Sequence, residues 1–319
     1  MQRSVSVVVC SHDPRRDYLV RVLAALEAQT LPKTEWELLL IDNASTAKLA
    51  DSFDLSWHPH ARHIREEELG LTPARLRGIR ESSGGLLVFV DDDNVPDSTY
   101  LEAALRTLRS YSYLGAFGAG KLEPEFEVSP PRKIKRRLSL LALRNVPTAQ
   151  WSNNPADFSS IPWGAGLCAS RAVAEEYKRL IDDLGVTPVI DRRGKELFAG
   201  GDDLFAWASL RIGKGFGIFP ELRIAHLIPA GRLREDYLVS LARGHAFSHA
   251  ILNYMLLGRM PKRIEVSAYV RLALHWLKNG RFSFRYQLAS IRGELEAAKY
   301  ITTHRLRPIV ERHPALLAV

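Results

Sequence analysis

Three short apolar runs in the first third of the chain each break into a polar loop. Residues 4–10 run into Ser11-His12-Asp13, 37–41 into Asp42-Asn43-Ala44-Ser45, and 86–90 into Asp91-Asp92-Asp93-Asn94. Leu38-Leu39-Leu40-Ile41 and Leu86-Leu87-Val88-Phe89-Val90 do not alternate with polar residues, as befits strands covered on both faces. A segment of helical period, Tyr18–Gln29, follows the first run. The pattern predicts βα units on a parallel sheet, and in open α/β sheets the ligand crevice lies outside the carboxyl ends of the strands. The three loops are therefore expected to converge on one site.

Charge bears on what such a site binds. The chain of 319 residues has 44 Lys+Arg against 36 Asp+Glu, a net charge of +8, with 46% hydrophobic residues. This composition excludes disorder and a fibrous fold. From Arg232 to Val319 there are 15 basic and 6 acidic residues, against 29 and 30 in the first 229, so the basic excess belongs to the tail. A regular interleaving of aromatic and basic residues is absent there, which argues against a nucleic-acid partner. Cys10 and Cys168 are too few for a disulfide framework, and a reducing, cytoplasmic setting is expected. The N-terminus reads as a buried strand rather than a signal peptide, and the longest apolar stretch, 246–258, is too short to span a bilayer.

Further on, Thr72 and Pro73 read as the N-cap and first position of a basic helix ending near Ser82-Ser83-Gly84-Gly85. Residues 123–162 are proline-rich and carry Arg132-Lys133-Ile134-Lys135-Arg136-Arg137, an excursion from the sheet. A helix is predicted over 172–184 and another after Gly200-Gly201-Asp202-Asp203. Short strands are predicted near 217–219 and 223–226, and the remainder from about Arg234 is mainly helical.

Three adjacent carboxylates repel one another unless a cation compensates them. Mg²⁺ and Mn²⁺ take one or two carboxylates with phosphate and water oxygens, so Asp91 and Asp93, with a diphosphate ligand, form a candidate metal site. Several motifs then fall in order: Val7-Val8-Val9-Cys10-Ser11-His12-Asp13, Leu40-Ile41-Asp42-Asn43, Leu69-Gly70 with Ala74-Arg75 and Gly78, Asp91-Asp92-Asp93, Gly164-Ala165-Gly166 and Gly201-Asp202-Asp203. Over about residues 4–230 they resemble family 2 glycosyltransferases of the GT-A fold, inverting enzymes that use nucleotide-diphosphate sugars.

The resemblance implies an α/β fold with a Rossmann-like mixed sheet, a domain over 1–230 and a helical basic extension over 231–319. It implies Asp203 as general base, and Ser11, Asp13, Asp42, Arg75, Asp91 and Asp92 toward the donor. Trp163, Gly164 and Asp202 fall on the acceptor side, and Mn²⁺ or Mg²⁺ is expected at Asp91 and Asp93 with His226 as a further ligand. The partners implied are a UDP-, GDP- or dTDP-sugar and a saccharide acceptor, lipid-linked or free. Leu76 stands where the family often has Asn, and Asp202 where Glu is commoner. The Gln-x-x-Arg-Trp motif of processive synthases is missing, which points to one sugar per event. Two rival readings stay open, a catalytically silent glycan-binding module and a nucleotidyltransferase. Arg132–Arg144 and Tyr269–Lys278 read as basic amphipathic helices, which suit peripheral contact with the inner face of the cytoplasmic membrane.

Overall fold

The structure, a computed structural model, describes residues 3–185, 191–192, 197–261 and 266–308, with the backbone alone over 266–279. The chain forms two compact units. The first comprises Met1–Glu125, Ala142–Asp182 and Gly201–Ile228; the second comprises Phe126–Leu141, Asp183–Gly200 and Pro229–Val319.

The first unit is built on a mixed sheet whose parallel half is formed by β1 (Val5–Ser11), β2 (Trp36–Asn43), β3 (Ala61–Glu66) and β4 (Leu86–Asp91), in the order β3-β2-β1-β4. The sheet continues from β4 through β9 (Leu167–Ser170), β6 (Leu114–Phe126) and β10 (Gly215–Ile228) to β5 (Asn94–Pro96). Two short strands, β7 (Arg144–Asn145) and β8 (Gln150–Ser152), pair antiparallel with β6 and β10. Every residue of β2 is buried, as its unbroken apolar run requires.

Alternation in β1 sends Val5, Val7 and Val9 into a core with Leu19, Val22 and Leu26 of α1 (Arg16–Glu27) and Leu101 and Ala104 of α3 (Tyr100–Ser110). Val8 meets α2 (Leu71–Glu81) so closely that a Cβ on Gly78 would lie 2.3 Å from its Cγ1. The register sets Ser11 beside Asp42, and Cys10 beside Asp91, which aligns the three polar loops at one end of the sheet.

Several details differ from the sequence reading. α2 starts at Leu71 with Gly70 as its N-cap, at φ 147°, and Thr72 lies inside the first turn. The strands expected near 217–219 and 223–226 are one, β10, because the chain stays extended through Pro220. β3 and β6 were not foreseen. Two further helices, α4 (Arg171–Leu184) and α5 (Asp203–Arg211), begin within a residue of their expected starts.

In the second unit a 3₁₀ helix over Arg132–Leu141 is joined to α6 (Glu235–Leu257) by an ion pair between Lys133 and Glu235. The amphipathic helix expected to run on to Arg144 stops at Leu141. Ala142 adopts φ 54°, and Arg144 turns into β7. α6 packs along α7 (Val266–Thr303), which breaks at Gly280 (φ 77°); beyond the break the two run parallel, with Asp236 pairing with Arg285 and Arg243 with Glu296. Phe247 of α6 stacks on Phe198, 5.0 Å between centroids, and meets Tyr300 edge-on. The backbone of Tyr269–Lys278 is helical, and its side chains lie outside the described residues. Among the described residues no helix is long and apolar enough to cross a membrane.

Candidate active site

At the end of β1, Ser11 is buried and its Oγ donates to Asp92 Oδ2 at 2.6 Å. The next loop is fastened to the loop after β2. Asp13 N donates to Ser45 Oγ, and Thr46 N and Oγ1 donate to the two Asp13 oxygens at 2.7 and 3.0 Å. The bond from Thr46 N is the main reason the Asp13 carboxyl lies below its usual range. Asp13 (φ 44°) and Ala44 (φ 52°) both adopt left-handed backbone that non-glycine residues rarely visit, and such residues gather at functional sites.

Asp42 is buried and its oxygens face its own loop. Oδ1 accepts from Ser45 N, and Oδ2 accepts from Leu49 N at 3.1 Å and Arg65 Nη1 at 2.9 Å. Burial opposes the charge, but these donors outweigh it and hold the carboxyl below the usual range. Asn43 extends the same loop to α2, donating to Glu68 O and accepting from Gly70 N at 2.8 Å.

Beyond β4, Asp91 is half-buried and Asp93 buried. Asn94 Nδ2 donates to Asp91 Oδ2 and Asp93 Oδ1, both at 3.0 Å, so one oxygen of each carboxylate converges on the same nitrogen. β5 and β10 place His226 opposite Asn94, with its Nε2 3.7 Å from Asp93 Oδ2. Among the described residues no group of three or more His, Cys, Asp or Glu side chains is gathered to hold a metal ion. Asn94 thereby holds the two carboxylates side by side, and two carboxylates are what Mg²⁺ or Mn²⁺ commonly takes from protein when phosphate and water supply the rest.

The other wall comes from residues far away in the sequence. Asp202 sits at the N-terminus of α5 but does not cap it; its Oδ2 accepts from Gly164 N at 2.8 Å. Asp203, half-buried, occupies the first turn, where the helix dipole favours an anion. Arg75, buried on α2, crowds the same point: a Cβ at Gly164 would lie 2.5 Å from Arg75 Nη2, so only glycine leaves that side chain undisturbed. Trp163 packs partly against the core, and the Arg144 guanidinium lies over its ring, Cζ 3.6 Å from the centroid. Burial pulls the Arg144 guanidinium down to about 10, although Asp202 and Asp203 attract its charge.

The fold thus brings Ser11, Asp13 and Asp42 together with Asp91–Asp93 and His226, and sets Arg75, Trp163 and Gly164 beside Asp202. Sequence reasoning missed Arg65, Asn94 and Arg144. Asn94 was signalled only by its place after the acidic triplet, and Arg144 was hidden at the end of a basic run. A separate cavity of about 580 Å³, lined by residues such as Asp51, Phe53, Asp54, His58 and His63, shares no residue with this crevice.

Residues 6–159 match the family described as Glycosyl transferase family 2. Glycosyltransferase AglE of Haloferax volcanii is 33% identical over 107 residues, which are 33% of this chain and 35% of that protein. The chain thus spans about a third of the length of this relative. The crystal structure of S. aureus TarS superposes with a TM-score of 0.50 at 17% identity, covering 88% of this chain and 44% of that one. The structure of TarS 1–349 in complex with UDP-GlcNAc gives 0.52 at 16% identity, covering 98% and 88%. These likenesses agree with a GT-A-type mixed α/β fold.

Proposed function

We propose that this chain, which carries a glycosyl transferase family 2 region over residues 6–159, is an inverting, metal-dependent glycosyltransferase. It moves one sugar per event from a nucleotide-diphosphate sugar to a saccharide or lipid-linked saccharide acceptor. The observation that carries this reading is the meeting of Asp202, the residue before Asp203, with Gly164 and Arg75 in the unit that also holds the aligned loops of β1, β2 and β4. The UDP-GlcNAc bound to TarS supports a donor of this class.

Ser11, Asp13 and Asp42 border the nucleoside, with Asp42 closing its own loop at the same time. Arg75 serves the donor phosphates, and Asp92, which accepts from Ser11, borders the donor beside it. Asp91, Asp93 and His226 would hold Mn²⁺ or Mg²⁺, which supplies positive charge to the leaving diphosphate. Asp203 takes the proton from the acceptor hydroxyl as that oxygen bonds to the anomeric carbon and the bond to the diphosphate breaks on the opposite face. Asp202, Gly164 and Trp163 shape the acceptor side. A silent glycan-binding module would need no base beside its metal carboxylates.

The test is release of nucleoside diphosphate from UDP-, GDP- and dTDP-sugars with Mn²⁺ and saccharide acceptors. Asp203→Asn should lower transfer by roughly 10²–10⁴-fold while UDP binding persists. Near-wild-type transfer by that variant would remove Asp203 as base, and undiminished turnover in excess EDTA would remove the metal. We also place the protein at the inner face of the cytoplasmic membrane. The second unit supports this with 23 Lys+Arg against 10 Asp+Glu, while the first has 21 against 26. Co-sedimentation with anionic vesicles that fades at high salt is the expected result, and equal binding to neutral vesicles would count against it.

A further inference from the structure

We propose that Arg144 is an oxyanion-binding residue, and that a ligand of this crevice presents a phosphate or carboxylate group to its guanidinium. The inference rests on the glycosyltransferase reading only for which ligand carries that group. Arg144 sits on β7, paired with Leu122 of β6, and two contacts fix its plane. Its Cζ lies over Trp163, and its Nη1 donates to Ile161 O at 2.9 Å. A guanidinium has five N–H donors in a planar fork that fits two oxygens of a phosphate or carboxylate at once. Here that fork contacts one neutral carbonyl and a ring face. Asp202 and Asp203 draw on it electrostatically, and among the described residues neither forms an ion pair with it.

A partly desolvated cation without a paired anion is an unfavourable resting state, one that a bound oxyanion relieves. The lowered guanidinium pKa has the same origin, since its leading cause is burial. Side-chain exposure at Arg144 is intermediate, so the group is within reach of a ligand. The charged neighbours at this wall are Arg75, Asp202 and Asp203, which with Arg144 make the local balance neutral. An arriving oxyanion therefore gains little from the general field and must touch the fork. Two sources offer such a group: the diphosphate of the donor, and an acidic substituent on the acceptor.

Calorimetric titration separates them. Sodium phosphate, methyl glucuronoside and neutral methyl glucoside are each added to wild-type protein, alone and saturated with UDP, and to Arg144→Gln and Arg144→Lys. Arg144→Gln should bind phosphate and glucuronoside at least about tenfold more weakly. Arg144→Lys, which keeps the charge and loses the fork, should fall between, and methyl glucoside should not distinguish the variants. Phosphate competing with UDP assigns the oxyanion to the donor; binding undiminished by UDP assigns it to the acceptor. Equal affinity in wild type and Arg144→Gln, or no binding of either anion to wild type, overturns the proposal. The Arg144→Lys comparison guards against a folding defect in the glutamine variant. Failure to bind UDP, GDP and dTDP alike would instead count against the glycosyltransferase reading, and leaves the phosphate comparison readable.

Discussion

At the carboxyl ends of β1 and β2, Asp13 accepts from Thr46 of the neighbouring loop, and Asp42 accepts from Ser45 and Leu49 of its own loop and from Arg65 of the adjacent strand β3. Across the sheet, Asp202 accepts from Gly164, 38 positions away in sequence, and Asp93 faces His226 from a different strand pair. The first kind of carboxylate fastens the loops of adjacent parallel strands and needs only β1, β2 and β3 in place. The second kind is placed by the whole topology, since β9, β10 and α5 must all be in position before these groups meet. Loop-holding thus dominates at the ends of β1 and β2, and the chemistry proposed above gathers where the end of β4 meets the antiparallel strands.

That division can be broken by mutation. Replacing Asp91 and Asp93 together by Asn should abolish metal-stimulated donor turnover, a loss on the order of a hundredfold or more, with little change in melting temperature. A large drop in stability instead would place these residues with the loop-holding class. Asn94→Ala removes the amide that both carboxylates share, and Mn²⁺ affinity measured by titration should weaken by roughly tenfold to a hundredfold. In the parallel half the expected cost is to folding. Asp42→Ala leaves Ser45 N, Leu49 N and Arg65 without their acceptor and should lose about 1–3 kcal/mol in urea unfolding.

The smallest effect is the response to acid. Asp13 and Asp42 are both held below their ordinary range in the folded state. Their stabilisation is therefore complete above about pH 4, the unfolded value, and is lost as pH falls through the folded values. Asp42→Asn should flatten the acid limb of the stability curve, and an unchanged limb would show that other groups govern it.

The parallel half was legible because its strands are continuous apolar runs and its functional residues follow them immediately. β3 escaped notice because Ala61-Arg62-His63-Ile64-Arg65-Glu66 buries only Ile64, so the hydrophobic signal is a single residue. β6 was obscured by Gly115, Gly118 and Gly120, which weaken any strand pattern. Gly120 is required by packing, since a Cβ there would lie 2.6 Å from the Phe219 backbone. The acidic pair Asp202-Asp203 was visible as a motif. What surrounds it was not, because the contact with Gly164, the crowding by Arg75 and the neighbouring Arg144 all depend on strand order beyond β4. Arg144 was the clearest loss: the five basic residues at 132–137 made it look like one more member of a basic amphipathic helix.

The cysteines have a practical use that follows from their places on β1 and β9. Cys168 is fully buried, and desolvation pushes its thiol far up. Cys10 is half-buried, one residue before Ser11 and opposite Asp91. A thiol-directed fluorophore or spin label added to the unmodified chain should therefore react at one position, at the rim of the crevice. No engineered cysteine is needed, and protection of that position by a nucleotide would map the occupied crevice directly.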